Sequence, residues 1–219
     1  MVVFAPQPVG VYRHKTMTDD TGTPLLVRQA IAAARQIGFP VSRDDPGHGR
    51  GSASLPGTGR FLAMLAAGCH GGRIAELGTG AGIGTAWMAS AMPADCALIT
   101  AEVDPVRAEA AARVLGGEPR VTVLTGDATA LIADYAPFDL IFADCGVRDA
   151  AAFGALIGLL RPGGRIVMDD VTPVAARPAG SPLLERDVKR ELFTGQPGLT
   201  WTEVVLPDLA NSVLVGTRR

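Results

Sequence analysis

Four glycines at alternate positions, 78, 80, 82 and 84, place the tightest constraint on this chain. They lie in the run Glu-Leu-Gly-Thr-Gly-Ala-Gly-Ile-Gly over residues 76–84, behind the apolar pair Ile74 and Ala75 and ahead of a helix-forming stretch that ends near Met92. Such a run reads as strand, turn and helix in succession. Glycine lets the backbone take positive φ and lets a ligand approach the main chain, where a helix N-terminus presents free N–H groups. This is a nucleotide-type binding loop. The dinucleotide pattern G-x-G-x-x-G fails at Ile83, and no Gly-Lys-Ser/Thr follows to make a phosphate-binding loop of the NTPase kind.

After the loop the pattern alternates between strand and helix almost to the end of the chain. Strands are predicted at residues 73–77, 97–103, 120–125, 138–143, 164–169, 200–206 and 212–217, with helices at 83–92, 105–115, 149–160 and 183–194. Alternation of this kind calls for a mostly parallel sheet covered by helices on both faces, a Rossmann-like, doubly wound α/β domain. Residues 207–211 are too few for a parallel crossover, so the last strand runs antiparallel. Upstream, Thr23 and Pro24 supply a cap and a first-turn proline for a helix whose apolar residues Leu26, Ala30, Ala33, Ala34 and Ile37 recur at helical spacing. Residues 41–59 read as a long loop edging the site, with the next helix starting between 58 and 61. Residues 1–22 read as a loose N-terminal arm, and 23–219 as one domain.

With 219 residues, 47% of them apolar, the chain has the length and composition of a single α/β core. A formal charge of −2 gives no pull toward nucleic acid. No run has the roughly 18 apolar residues of a membrane span, and residues 1–10 make no secretory signal, so a cytoplasmic protein without membrane partners is expected. Cys69, Cys96 and Cys145 lack C-x-x-C spacing and read as reduced thiols.

Further motifs follow the glycine loop in a fixed order. They are Ala-Glu-Val-Asp-Pro at 101–105, Thr-Gly-Asp-Ala at 125–128, Phe-Asp-Leu-Ile-Phe-Ala-Asp at 138–144 and Leu-Arg-Pro-Gly-Gly-Arg-Ile-Val-Met-Asp-Asp at 160–170. From about residue 24 to the C-terminus the series resembles the class I methyltransferases that use S-adenosylmethionine (SAM). Within them it is most similar to the small O-methyltransferases that include catechol and caffeoyl-CoA methyltransferases. The resemblance implies a seven-stranded sheet with its last strand reversed, SAM as methyl donor, a hydroxyl of a small phenolic or catechol-like molecule as acceptor, and a homodimer.

On that reading Gly78, Thr79, Gly80 and Gly84 form the cofactor loop, and Glu76 orders it or meets the amino group of the methionine moiety. Glu102, ending the second strand, is placed to accept both ribose hydroxyls. Asp127 with Ala128 is assigned to adenine by resemblance, a turn-forming aspartate being the alternative. Asp104, followed by Pro105, reads as a helix cap, and Trp87 and Met88 as core.

Methyl transfer from a sulfonium is an in-line displacement, so an enzyme has to align the nucleophile and remove its proton. Metal-dependent members of the resembled group bind a divalent ion through an Asp after the fourth strand and an Asp-Asn pair after the fifth. Here those positions are Asp144, Asp169 and Asp170, oxygen ligands suited to Mg²⁺, Mn²⁺ or Ca²⁺. Asp144 also counts among the cofactor-binding and catalytic candidates. The lysine those members carry three places after the first Asp is Val147 here, and neighbouring Arg148 stays protonated and serves no base role. His48 is the neutral-pH base candidate. Two alternatives stand beside O-methylation. An N-methyltransferase would carry Asn-Pro-Pro-Tyr where Asp-Cys-Gly-Val stands at 144–147, and a non-catalytic SAM- or nucleoside-binding module would fit the missing lysine.

Overall fold

The computed structural model describes residues 22–47, 52–145, 147, 149–177, 179–182, 186–206 and 211–219. All of the expected arm except Gly22 therefore lies outside the described residues. Two helices, α1 (Leu25–Gln36) and α2 (Pro56–Ala67), precede β1 (Arg73–Leu77). The chain then runs through α3 (Ile83–Ala91), β2 (Ala97–Glu102), α4 (Pro105–Leu115), β3 (Val121–Thr125), α5 (Ala128–Ile132) and β4 (Phe138–Ala143). It finishes with α6 (Ala150–Leu159), β5 (Leu160–Val171), α7 (Val188–Thr194), β6 (Leu199–Val205) and β7 (Ser212–Arg218).

The seven strands form one sheet in the order β3-β2-β1-β4-β5-β7-β6, with β7 antiparallel to both of its neighbours. Adjacent residues of each central strand serve opposite faces. Ile74, Leu98 and Leu140 pack with Leu62, Leu65 and Met88 of α2 and α3, whereas Ala75, Ile99 and Ile141 pack with Ile132, Phe153, Leu156 and Phe193 of α5, α6 and α7. A strand buried on both faces needs this unbroken apolar content, which is why β1, β2 and β4 carry no alternation of polar residues. Trp87 and Met88 are core residues, as expected.

Four expectations about elements are corrected. At α1, Pro24 takes the cap position and no side chain caps the helix, so Thr23 does not cap it. The loop after α1 ends at residue 55, because Pro56 opens α2 with its fixed φ and without an N–H to satisfy. α5 is an additional helix of five residues, started by Asp127, whose carboxylate accepts the Ala130 N–H at 3.0 Å. α7 begins at Val188, where Asp187 accepts the Arg190 N–H, and of the residues read as its first turn 183–185 lie outside the described set.

Candidate active site

The carboxyl ends of β1, β2 and β4 converge where a doubly wound sheet opens a crevice. The glycine loop is tied to β2 there: the Gly78 and Thr79 N–H groups donate to the Ala101 carbonyl at 3.0 and 3.2 Å, and the Thr79 and Thr100 hydroxyls share a hydrogen bond of 2.6 Å. Gly80 sits at φ 52°, and a Cβ on it would come within 3.0 Å of the Phe39 ring. Glu102 accepts the Gly80 N–H through Oε2 at 2.8 Å and the Asp104 N–H through Oε1 at 3.0 Å. Two backbone donors thus fix the carboxylate in one orientation, and each oxygen keeps a further lone pair for another donor. Asp104 caps α4 as expected, accepting from the Val106 and Arg107 N–H groups.

Glu76 lies beneath the loop rather than in the crevice. Its carboxylate accepts from the hydroxyls of Thr85 at the start of α3 and Thr100 in β2, so it clamps the strand, the loop and the helix together. Gly84 belongs to the same clamp, because a Cβ there would stand 2.4 Å from Glu76 Oε1. Burial, partly opposed by the two hydroxyl donors, pushes the Glu76 carboxyl up to about 7 from 4.5. The folded chain therefore holds a proton that the unfolded chain releases between those two pH values. Stability falls as pH rises through this window, by roughly 3 kcal/mol, and levels off above it. Glu76→Gln should cancel that slope. Denaturation midpoints of the two proteins between pH 5 and 8 should diverge in favour of the variant as pH rises, and parallel curves would remove the buried proton from Glu76.

A cavity of about 360 Å³ opens beside the loop, bounded by Gly78, Gly80, Glu102, Asp127, Ala128 and Asp144. Six of the sequence-predicted cofactor residues therefore line one cavity, while Glu76, Thr79 and Gly84 are not among its lining residues. Phe39 and Arg107 also line the cavity, with the guanidinium 5.0 Å from the ring centroid. Neither was predicted, since one follows α1 and the other lies in α4, and only the fold brings them to the cavity that Glu102 lines. Asp127 caps α5, as the turn-forming reading has it, and also lines the cavity.

Asp144, which lines that cavity, stands together with Asp169 and Asp170. Each offers a carboxylate oxygen, all lying within 4.8 Å of one another. The β5–β7 register shifts between Met168 and Val171, and Asp170 takes φ 54°. A bulge of this kind re-aims side chains beside an active site. Asp169 is buried, and its Oδ1 is the buried side-chain oxygen left without a hydrogen-bond partner among the described residues. Burial first, and then neighbouring carboxylates, raise the proton affinity of both Asp144 and Asp169. An orphaned carboxylate oxygen next to two further acids suits a hard divalent cation. His48 and Arg148, singled out in the sequence, lie outside the described residues.

A methyltransferase-domain family model matches residues 75–171, which run from β1 to the end of β5. The catechol O-methyltransferase of Niastella koreensis is 38% identical over 125 residues, covering 53% of this chain and 57% of that protein. A Mycobacterium avium protein bearing an O-methyltransferase name is 32% identical over 171 residues, covering 75% of this chain and 73% of its own length. The chain belongs to this O-methyltransferase family. It spans little more than half the length of the Niastella protein. Among solved structures, the O-methyltransferase TomG of Streptomyces achromogenes, crystallised in complex with SAM, superimposes with a TM-score of 0.67 at 26% identity, covering 94% of this chain and 92% of TomG.

In this O-methyltransferase-family chain a second cavity, of about 550 Å³, adjoins the first through the shared residues Asp144 and Cys145. Val147, which stands where the resembled metal-dependent members carry lysine, lines it, and so does Lys189 of α7. The Lys189 ammonium donates to the carbonyls of Asp169 at 2.5 Å and Asp170 at 3.5 Å, so it meets main-chain groups at the β5 bulge. The segment after β5 is fastened by charge. Arg177 and Arg190 both pair with Asp187, both donate to the Thr172 carbonyl, and Arg190 also meets Glu203 at 2.5 Å. No local signal in the sequence marks Lys189, whose position follows from this network.

Proposed function

We propose that the chain transfers a methyl group from SAM to a hydroxyl of a small phenolic or catechol-like acceptor. The observation that carries this reading is the pair of cavities meeting at Asp144, one walled by the glycine loop and Glu102, the other opening beside three acids. SAM, when bound, supplies a methyl group already activated on a sulfonium. Glu102, held by the Gly80 and Asp104 N–H groups, is oriented to accept from a ribose diol, and Asp127 faces the same space. The protein's task is then alignment, with the acceptor hydroxyl brought to the junction of the cavities.

Deprotonation is the second task. Asp144, Asp169 and Asp170 would hold a divalent cation, Mg²⁺, Mn²⁺ or Ca²⁺, which supplies a Lewis acid able to lower the pKa of a coordinated hydroxyl. The orphaned Asp169 Oδ1 supports that assignment. His48 stays the side-chain base proposed from the sequence. The single domain over 23–219 is consistent with one continuous sheet. The homodimer rests on family resemblance, and the cytoplasmic location on the reading of the sequence. No helix among the described residues is long and apolar enough to cross a membrane.

The test is a product assay with SAM against matched phenols, catechols and aromatic amines, reading S-adenosylhomocysteine (SAH) and locating the new methyl by mass spectrometry. Methyl ethers are expected. Methylation at nitrogen would favour the first alternative, and SAM binding without any methylated product would favour a binding module.

A further inference from the structure

The second cavity has a distinct chemical asymmetry. Val147, Met168 and Val188 give it an apolar wall, and Asp144 is its acid at the junction with the first cavity. Among the described residues that line it, the charged ones besides Asp144 are the cations Arg186 and Lys189.

Neither cation is neutralised as its neighbours are. Arg177 and Arg190 are buried against Asp187 and Glu203. Arg186, by contrast, meets Glu191 at 3.4 Å on the surface, with the two side chains 74% and 53% exposed. An exposed pair of this kind is held by little and yields readily to a better partner. Among the described residues the hydrogen-bond acceptors of Lys189 are the two neutral carbonyls and no carboxylate, and its ammonium carries a third N–H. A cavity of about 550 Å³ is of a size for one ring and a short substituent.

We propose that Arg186 and Lys189 select acceptors that carry an anionic group, a carboxylate in the simplest case, besides the methylated hydroxyl. The apolar lining takes the ring, Asp144 faces the hydroxyls, and the two cations take the carboxylate. A neutral acceptor forgoes the charge-assisted hydrogen bonds, and a cationic one is repelled. The proposal rests on the methyl-transfer reading for which end of the molecule reacts, but the charge preference is measurable without turnover.

The experiment uses three probes sharing one ortho-dihydroxyphenyl ring: dihydroxybenzoate, dihydroxybenzamide and dihydroxybenzylamine. Because the diol is constant, any contribution from a bound divalent ion cancels between them. Binding to the SAH-loaded full chain is measured by calorimetry, and kcat/KM is measured with SAM. The benzoate is expected to bind about tenfold or more tightly than the amide, with the amine weakest, as for gain or loss of a charge-assisted hydrogen bond. Arg186→Gln, which touches no buried contact, and Lys189→Gln should each shrink the benzoate preference, while SAH affinity reports that the fold is kept. Equal or stronger binding of the amide or amine would overturn the proposal, as would a preference that survives both variants. A benzoate that binds selectively but receives no methyl group would instead count against the transfer reading alone.

Discussion

Replacing Asp169 by alanine is expected to abolish a divalent-ion-dependent rise in melting temperature that the unsubstituted protein shows with Mg²⁺, Mn²⁺ or Ca²⁺. The rise follows from linkage, since an ion that binds only the folded chain stabilises it by about 2.7 kcal/mol at a hundred times its Kd. For a chain of this size that is roughly 5 to 10 °C. Three acids with oxygens inside 4.8 Å, one of them buried with an unpartnered oxygen, cannot all stay ionised without compensation. Without the ion, then, the sign reverses. In EDTA the variant should melt no lower than the parent, because one member of a repelling cluster has gone. Thermal scans of both proteins with each ion and with EDTA test the two halves together. If no ion moves the parent's melting temperature, the three carboxylates are not a metal site.

Glu102→Ala is expected to weaken SAM and SAH binding by about ten- to a hundredfold, the usual cost of losing hydrogen bonds to a charged acceptor. Two effects combine. On the proposed reading the ribose hydroxyls lose their acceptor, and the Gly80 and Asp104 N–H groups, now bound to its oxygens at 2.8 and 3.0 Å, lose the partner that sets the loop. Asp127→Ala should cost less, because that carboxylate is partly committed to the Ala130 N–H. Calorimetry with SAH on the three proteins measures the order, and equal affinity of Glu102→Ala and the parent would remove Glu102 from the cofactor site.

The sheet was legible in the sequence because its central strands are short apolar runs that end in recognisable motifs: the glycines after β1, Glu102 ending β2 and Asp144 following β4. Residues close to these strand ends in sequence were therefore legible as site residues. Side chains delivered by tertiary structure were not. Phe39 reaches the cavity only because α1 docks beside α3 and α4, and Lys189 only because Asp187, Arg190 and Glu203 fix the start of α7. The β5 bulge was illegible for a related reason. Asp169 and Asp170 read as a strand end, and the register shift that turns their carboxylates toward Asp144 is a property of pairing with β7, far away in sequence. Glu76 was recognised as important, but its place beneath the loop, bonded to Thr85 and Thr100, depends on two hydroxyls that no spacing rule singles out.

Titration of the unsubstituted chain with SAM, beside parallel titrations with NAD and ATP, bears most directly on the central claim. The glycine loop, with Ile83 where a dinucleotide fold has glycine and no lysine for a triphosphate, predicts saturable binding of one SAM per chain and none of NAD or ATP. Absence of SAM binding, or NAD bound as tightly as SAM, would contradict it.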